Sequence, residues 1–326
     1  MFEFKNVYID KFYTVVSKKE ANGNIKNPNK VMNDYYYGEK TPFKCEVKML
    51  NEVIDNLPTS DLVIASNLEN QLASSNISMK NRNTPYIGLY SACASFSGGI
   101  TTLSNFIESK AINKGTLLIS SHNLNAEKQF RFPVEYGAPK VKRSTQTATC
   151  AIGIHLTNQK TNIKVLNGTI GNVVDSYIKD TYNMGAVMAP SAYDCLINHL
   201  TKTNTNIKDY DLIVTGDLGK VGSKIFKELC TRNGYKLKNY LDAGEILFGD
   251  TSTSGASGPA CLPLVYFYNL INIKKYKKVL LLSTGSLHNP ELVNQKETIP
   301  SITNALTIEV QKWQYFIHSY FAEQFV

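Results

Sequence analysis

Short apolar runs alternate with longer segments of helical periodicity along most of the chain. A run of about four to eight apolar residues that ends at a polar turn is typical of a buried strand. We expect strands at residues 61–66, 84–90, 115–120, 147–157, 162–172, 210–215, 278–284 and 303–309. We expect helices at residues 44–56, 96–110, 187–201, 219–232 and 257–272. Strands that alternate with helices in this way indicate an α/β fold with parallel or mixed sheets. The polar segment 124–146 is predicted to be a long connection between two strands.

The same order of elements occurs twice. Residues 61–68 (DLVIASNL) are similar to residues 211–218 (DLIVTGDL), and the longer segment 91–123 is similar to 255–289. Both longer segments run from a small-residue turn through an apolar helix to a buried strand, and both reach a His-Asn pair. The repeat length of roughly 150–165 residues indicates that the chain consists of two related halves.

We therefore predict two pseudo-symmetric halves, residues 1–160 and 161–310, stacked in α-β-α-β-α layers, followed by a tail of residues 311–326. The apolar residues of the tail recur at the spacing of one helical face. They are Trp313, Phe316, Ile317, Tyr320, Phe321 and Phe325. This pattern favours a helix that packs on its own domain or on a second chain. A helix that contacts a membrane surface or a membrane partner is the alternative.

Charge and composition narrow the function classes. The net charge is +8, but the lysines are spread along the chain without a run of five basic residues or a nucleic-acid motif. A solvated, lysine-rich surface is therefore the favoured interpretation, and no nucleic-acid partner is predicted. The six cysteines show no CxxC spacing, which disfavours zinc ribbons and redox dithiols, and we predict no metal and no cofactor. We also predict no signal peptide and no transmembrane segment.

Cys93 is the leading candidate for chemistry. It follows the apolar segment 86–90 and lies among small residues just before a predicted helix. A helix N-terminus stabilises a thiolate, and the amides near it can bind an oxyanion. A small buried apolar side chain is the alternative for any free cysteine. The other five cysteines lack this context and are predicted to lie in the core.

Polar residues after the strand at 115–120 form a second group of candidates. His122 and its repeat partner His288 suggest either catalysis or a shared turn. Gln129 and Arg131 lie beside aromatic residues, where an arginine can hold a carboxylate with two hydrogen bonds and a ring can orient a flat ligand. Lys296, in the segment QKETIP, is predicted to meet an anion or solvent.

These motifs together resemble a known superfamily. The strand–Cys–helix segment at 84–110, repeated at 255–272, resembles the thiolase and β-ketoacyl synthase superfamily. A closer resemblance is to the stage V sporulation protein AD family, which has the thiolase fold. The segments that carry it are Ser91–Cys93, 120–137 (SSHNLNAEKQFRFPVEYG), 181–190 (TYNMGAVMAP), 210–223 (YDLIVTGDLGKVGS) and 295–300 (QKETIP). The resemblance extends from about residue 60 to residue 309.

The resemblance implies a role in spore formation. It implies a soluble, non-catalytic component of the machinery that moves dipicolinic acid into the developing spore, binding that acid directly. It further implies a homodimer that works with membrane-embedded SpoVA-type subunits at the cytoplasmic face of the forespore or spore inner membrane, in a system connected to spore germination. The candidate ligand-binding residues are Cys93, Ser121, His122, Asn123, Gln129, Arg131 and Lys296.

Catalysis requires partners for Cys93 that the sequence lacks. In type III ketoacyl synthases a histidine follows the strand that here reads DLIVTGDLG, and this chain has Gly216-Asp217 there. The segment 251–257, which corresponds to their asparagine loop, contains no asparagine, and 257–260 reads SGPA where a thiolase has Gly-His-Pro. Loss of residues that act as a unit typically costs orders of magnitude in rate. We therefore predict no enzyme, although Asp217 could act as a base. The alternatives are a divergent acyltransferase that uses Cys93, and a scaffold that docks membrane channel subunits.

Overall fold

The computed structural model describes residues 1–22, 24–130, 146–249 and 254–311. Its strands are β1 (Phe2–Glu3), β2 (Tyr8–Val16), β3 (Lys30–Val31), β4 (Leu62–Ser66), β5 (Tyr86–Gly88), β6 (Lys114–Ser121), β7 (Gln146–Thr147), β8 (Cys150–Thr157), β9 (Ile163–Thr169), β10 (Val173–Asp175), β11 (Leu212–Thr215), β12 (Tyr240–Asp242), β13 (Ala256–Ser257), β14 (Lys278–Ser286) and β15 (Pro300–Val310). Its helices are α1 (Lys18–Asn22), α2 (Pro42–Asp55), α3 (Ala73–Met79), α4 (Ser95–Glu108), α5 (Asn123–Phe130), α6 (Met184–Thr203), α7 (Gly219–Arg232), α8 (Ala243–Phe248), α9 (Cys261–Val265) and α10 (Pro290–Asn294).

The strand order repeats the duplication seen in the sequence. One end of the sheet runs β5-β4-β6-β8-β2, and the other runs β12-β11-β14-β15-β9. The first three strands of each set, β5-β4-β6 or β12-β11-β14, are parallel to one another. Each of the last two, β8 and β2 or β15 and β9, is antiparallel to the strand before it. The sets meet where β2 pairs with β9, with Tyr8 opposite Lys164 and Ile9 opposite Ile163. The halves therefore have one topology, as the sequence repeats predict.

Equivalent aspartates begin equivalent strands in the two halves. A carboxylate oxygen of Asp61 accepts hydrogen bonds from the N–H groups of Asn113 and Lys114, at 2.9 and 3.1 Å. The carboxylate of Asp211 accepts from the N–H groups of Lys277 and Lys278 at 2.8 and 2.7 Å. Each aspartate thus ties the start of one parallel strand, β4 or β11, to the start of its neighbour, β6 or β14. This shared contact explains why the DL pair recurs in the sequence.

Helix α4 lies between the two halves. It contacts β6 of the first half and β9, β14 and β15 of the second. Its glycines allow close approach, because a Cβ at Gly98 would lie 2.7 Å from the amide of Asn304 and one at Gly99 would lie 2.5 Å from Leu117. Helix α2 covers the outer face of the first half, and α6 and α7 cover that of the second. Strands such as β8 are buried along their whole length because helices lie on both faces.

The described elements include most of the predicted ones, together with several short elements that were not predicted, such as β12, α3 and α8. The strand β2 was not predicted, and neither was α5, which replaces the beginning of the connection expected at 124–146. The helix expected at 257–272 is α9 followed by a π-helical turn, Tyr266–Leu270. Residues 131–145 and the tail from 312 onward lie outside the described residues, so the helical interpretation of the tail stays a prediction. In the described part of the chain, no helix combines the length and apolar character needed to cross a bilayer.

Candidate ligand-binding site

A small cavity of about 30 Å³ lies where the carboxyl ends of the parallel strands of both halves meet. Leu68 follows β4, Cys93 follows β5, Asp217 follows β11 and His288 follows β14. The rest of the lining consists of Ala92, Thr147, Met184, Met188, Gly258 and Ser286. Residues that follow the carboxyl ends of parallel strands lie at one edge of a sheet. The topology therefore brings polar side chains from distant segments of the sequence into the lining of one cavity.

Cys93 is held at a short elbow before α4. A 3-10 turn, Ala92–Ala94, begins with a left-handed residue, Ala92 at φ 45°. The Nδ2 group of Asn304 on β15 donates to the carbonyl of Ala94 at 3.1 Å. Gly285 on β14 comes so close that a Cβ there would lie 2.8 Å from the Ala94 nitrogen. The second half therefore fixes the turn that carries the thiol of the first.

The partner of the Cys93 thiol is the carboxyl group of Asp217. Both side chains line the small cavity together with Gly258, and the charge of Asp217 acts on the thiol. Thr284 donates its hydroxyl proton to Asp217 Oδ1 at 2.6 Å and accepts from the Asp217 N–H at 3.1 Å. Burial raises the pKa of Asp217 to about 7, against the opposing effect of the Thr284 hydrogen bond. The carboxyl group is therefore held firmly and carries a proton unusually easily.

This pairing suppresses the thiolate. Burial, followed by the charge of Asp217, raises the pKa of the Cys93 thiol well above its ordinary value. The thiolate is the nucleophilic form of cysteine, and a neighbouring cation is what normally favours it. A carboxylate has the opposite effect, because a thiolate beside it would place two negative charges in one buried site. The geometry thus keeps Cys93 as a neutral thiol.

Two further polar groups line the same small cavity. His288 is 1% exposed and brings an imidazole from the second half. Ser286 is buried, and within the described residues its hydroxyl oxygen has no hydrogen-bond partner. A buried hydroxyl without a partner costs free energy, so a polar molecule in the cavity would be stabilised there. A cavity of this volume holds about one or two water molecules.

A larger cavity of about 510 Å³ adjoins the small one at Leu68, which lines both. Its wall carries an aromatic ring, several amide side chains and two carboxylates. The lining residues are Leu68, Glu69, Asn70, Gln71, Leu72, Tyr90, Gln129, Asn289, Pro290 and Glu291. The volume is within the usual range for pockets that bind small organic ligands. Gln71 and Leu72 have left-handed backbones, at φ 54° and 58°, in the turn that forms one wall.

Glu69 is the buried carboxylate of the larger cavity. It accepts hydrogen bonds from the N–H and hydroxyl groups of Ser74, the former at 2.8 Å. Burial raises its pKa. Glu46 on α2 interacts with it electrostatically, and burial followed by the charge of Glu69 raises the pKa of Glu46. Ser120 and Asn125 donate to the Glu46 carboxyl oxygens at 2.8 and 2.7 Å. The pair therefore carries less negative charge than two exposed glutamates.

The structure places the predicted site residues in different surroundings. Cys93 lines the small cavity and Gln129 lines the larger one. Lys296 is exposed on the loop before β15, and its carbonyl accepts from Lys179 Nζ at 2.5 Å. Arg131 lies outside the described residues. The described structure thus brings Cys93 and Gln129 to adjoining cavities, and the binding roles of all these residues stay predictions.

Neither cavity is lined by Ser121, His122 or Asn123. These residues instead form hydrogen bonds that connect the start of α5 to neighbouring segments. Ser121 donates to the Ala148 carbonyl at 2.8 Å, and the Asn123 N–H donates to the hydroxyl of Thr149 at 3.0 Å. His122 Nδ1 accepts from the Leu124 N–H at 3.2 Å, which leaves Nε2 to donate to the Tyr35 carbonyl at 3.2 Å. Burial lowers the pKa of His122 to about 4, so the ring is neutral.

Sequence reasoning gave little weight to two residues of these cavities. His288 was noted only as the repeat partner of His122, and Tyr90 only as the end of an apolar run. A signal was present, because His288 follows a predicted strand and Tyr90 is the last residue of one. Asp217 was recognised from the histidine that it replaces.

Solved structures define the class of fold. The chain superimposes on 3-oxoacyl-[acyl-carrier-protein] synthase III from Aquifex aeolicus with a TM-score of 0.58 and 11% identity, covering 93% of this chain and 99% of that one. It superimposes on a variant of OleA from Xanthomonas campestris with a TM-score of 0.61 and 10% identity, covering 95% and 100%. The protein thus has the thiolase-like fold, as predicted.

Sequence comparison identifies the family within that fold. The model of the family "Stage V sporulation protein AD (SpoVAD)" matches residues 1–309. The chain is 29% identical over 318 residues to stage V sporulation protein AD of Bacillus subtilis, covering 93% of this chain and 94% of that protein. The chain therefore belongs to the stage V sporulation protein AD family, which gives it a role in sporulation.

Proposed function

We propose that this sporulation protein binds dipicolinate in the larger cavity and catalyses no acyl transfer. The observation that carries the proposal is the placement of the Cys93 thiol and the Asp217 carboxyl group in the same small cavity. The fold retains the cysteine elbow of its enzyme relatives, but the thiol faces a carboxylate that opposes its ionisation. A retained cavity beside an unactivated nucleophile supports a binding protein.

The larger cavity suits a flat ring with two carboxylates. Tyr90 offers an aromatic face, and the amide groups of Gln129 and Asn289 can donate hydrogen bonds to carboxylate oxygens. The small cavity, at about 30 Å³, is far too small for such a ligand and would hold water beneath it. The ligand would therefore lie above Cys93 and leave the sulfur untouched.

The carboxylates of the cavity set a condition on anion binding. Glu69 and Glu291 both line the cavity, and a charged pair there would repel a dianion. The raised pKa of Glu69 reduces this repulsion. A cation must supply the remaining attraction, and Arg131, two residues beyond Gln129, is the proposed source.

Calorimetric titration with dipicolinate tests the proposal. We expect saturable binding, weakened at least about tenfold by Tyr90→Ala and by Arg131→Ala, since each removes a ring or charge contact. The matched controls are Tyr177→Ala, which removes a ring that is 83% exposed, and Arg232→Ala, which removes an exposed guanidinium on α7. Absence of heat up to about millimolar dipicolinate would overturn the proposal.

A divergent acyltransferase is the second candidate, because Cys93, Asp217 and His288 share one cavity in a fold whose relatives include a 3-oxoacyl synthase. If Asp217 or His288 can remove the thiol proton, an acyl-coenzyme A thioester will leave its acyl group on the sulfur. Intact mass spectrometry after incubation detects this adduct, with Cys93→Ser as the control. We expect no adduct on the wild-type chain, and a stoichiometric one that Cys93→Ser abolishes would establish the enzyme instead.

We further propose that the protein is a homodimer that acts at the spore inner membrane with membrane-embedded subunits. The end strand β5 and the neighbouring α3 expose Ile87 and Ile77, at 38% and 49%. These apolar side chains beside an end strand support pairing with a second copy. Light scattering of the purified chain tests the homodimer. We expect the mass of two chains, and the mass of one chain would exclude a dimer.

A further inference from the structure

The edge of the sheet opposite the cavities carries an unusual density of lysines. Strands β11, β12 and β14 are parallel and begin at this edge. The three connections that lead into them start at the ends of α6, of α7 and of the π-helical turn after α9. Each contributes two or more exposed lysines, among them Lys202 and Lys208, Lys236 and Lys238, and Lys275 and Lys277. We call these six residues the lysine face.

The positive charge of the lysine face is not neutralised locally. Among the described residues, none of the six lysines forms an ion pair with a carboxylate. The carboxylates of the three connections are Asp209 and Asp211, and both bind backbone N–H groups: Asp209 that of Asn206 at 2.7 Å, and Asp211 those of the β14 start. Six ammonium groups therefore face solvent together, although they are far apart in the sequence.

The described chain ends on the same face. Strand β15 runs toward this edge, where Val310 pairs with Ile163 and donates its N–H to the Lys277 carbonyl at 2.9 Å. The Gln311 N–H donates to the Asn162 carbonyl at 2.8 Å. The following sequence, KWQYFIHSYFAEQFV, has one Trp and four Phe and Tyr residues in its first ten positions, and it has few charges. The last described residue thus lies beside the lysines, and the sequence that follows it is rich in aromatic residues.

We infer that the lysine face docks on an anionic phospholipid bilayer. Lysines near such a surface are attracted by its negative potential, and aromatic side chains favour the headgroup region. All six residues are lysines, whose compact charges suit a diffuse layer of phosphates, whereas fixed bidentate recognition favours arginine. Because the cavities lie at the opposite edge, a chain docked in this way keeps them open to the aqueous side.

Vesicle sedimentation of the full-length chain tests the inference. The probes are phosphatidylcholine vesicles, with and without about 30% phosphatidylglycerol, at low ionic strength. The variant Lys208→Glu/Lys236→Glu/Lys275→Glu reverses one charge in each connection. The control variant, Lys26→Glu/Lys40→Glu/Lys44→Glu, makes the same change in net charge at exposed lysines elsewhere. Circular dichroism melting establishes that both variants are folded before they are compared.

We expect binding only to vesicles that contain phosphatidylglycerol, weakened at least about tenfold by the lysine-face variant and much less by the control. Raising the ionic strength should weaken wild-type binding in the same way. Equal loss in both triple variants would show that net charge alone is responsible and would overturn the inference. The inference would also be overturned if the wild-type chain binds polyglutamate but does not sediment with anionic vesicles. That result would indicate that the lysine face binds an acidic protein.

Discussion

At the scale of single residues, the central contact is a thiol and a carboxyl group in one buried site. Either group can lose its proton, but the loss of both would place two negative charges together. Burial raises the pKa of Asp217 to about 7, and burial with the Asp217 charge raises that of Cys93 well above its ordinary value. The carboxyl group therefore ionises first, and its charge then holds the proton on sulfur.

This contact predicts that Asp217→Asn makes Cys93 more reactive. Removing the negative neighbour lowers the pKa of the thiol, so more thiolate is present at pH 8. We expect alkylation of Cys93 by iodoacetamide to accelerate several-fold, measured by mass spectrometry of the peptide. Asp209→Asn, at an exposed position, is the control and should leave the rate unchanged. An unchanged or slower rate in Asp217→Asn would show that Asp217 does not suppress the thiolate.

Buried carboxyl groups also predict how stability depends on pH. Glu46 and Asp217 have raised pKa values in the folded state, so in the window from about pH 4 to pH 7 the native protein binds protons that the unfolded chain has released. Stability must therefore fall as pH rises through that window. His122, with its pKa lowered to about 4, acts oppositely and destabilises the fold as pH falls below about 6.5.

We expect Glu46→Gln to reduce how steeply the stability of the fold decreases as pH rises. The amide cannot ionise, and losing one proton-linked site reduces the slope by up to about 1.4 kcal/mol per pH unit. Urea unfolding at several pH values between 5 and 8 measures it, with Glu297→Gln as an exposed control. A slope as steep in Glu46→Gln as in the wild type would mean that Glu46 is already ionised in the folded protein.

At the scale of elements, α6 and α7 meet through glycines. A Cβ at Gly222 would lie 2.7 Å from the Cα of Gly185, and one at Gly185 would lie 2.4 Å from the Leu218 carbonyl oxygen. These are backbone atoms, which cannot move aside as a side chain tip can. Because α7 follows directly on Asp217, the crossing also fixes the carboxyl group beside Cys93.

Gly222→Ala should therefore destabilise the fold by more than about 2 kcal/mol, although alanine favours helices. Urea unfolding measures the change, and Lys224→Ala on the exposed face of α7 is the control, expected within about 0.5 kcal/mol of wild type. A loss in Gly222→Ala no larger than that of the control would show that the two helices can separate at little cost.

The reasons why β2 and α5 were not predicted can be found in their sequences. Strand β2 contains Asp10 and Lys11 at a register shift in its pairing with β8, so its apolar pattern is interrupted. Helix α5 buries the polar residues Asn125 and Glu127, so its inward face does not read as apolar. Predicted strands such as β4, β6, β8 and β14 are buried on both faces and form continuous apolar runs, which local sequence does reveal.

The candidate site was less accessible to prediction than the fold. Cys93 could be found because its elbow has a local pattern, and Asp217 because it replaces an expected histidine. The two His-Asn pairs look alike in sequence, but His122 is fixed by the Tyr35 carbonyl while His288 lines a cavity. That difference depends on contacts between distant segments, so no local pattern distinguishes the two.

At the scale of the whole molecule, the two edges of the sheet carry different features, cavities at one edge and exposed lysines at the other. Both cavities lie at the carboxyl ends of the parallel strands, and the lysine face lies at their amino ends. A ligand that enters the larger cavity meets Glu69, whose pKa burial already raises. A bound dianion would raise that pKa further, so binding must take up a proton and strengthen as pH falls.

Proton uptake is measurable by titrating dipicolinate in buffers of different ionisation enthalpy. We expect a net uptake near neutral pH that Glu69→Gln reduces and that Glu297→Gln, away from the cavity lining, leaves unchanged. Uptake of the same size in Glu69→Gln would assign the proton to another group.

A crystal structure of the chain soaked in dipicolinate tests the central claim most directly. The account predicts density for the ligand in the larger cavity, its ring against Tyr90 and its carboxylates near Gln129 and Asn289, with the sulfur of Cys93 unmodified beside the Asp217 carboxyl group. Density for the ligand only at other sites, or a covalent adduct on Cys93, would contradict it.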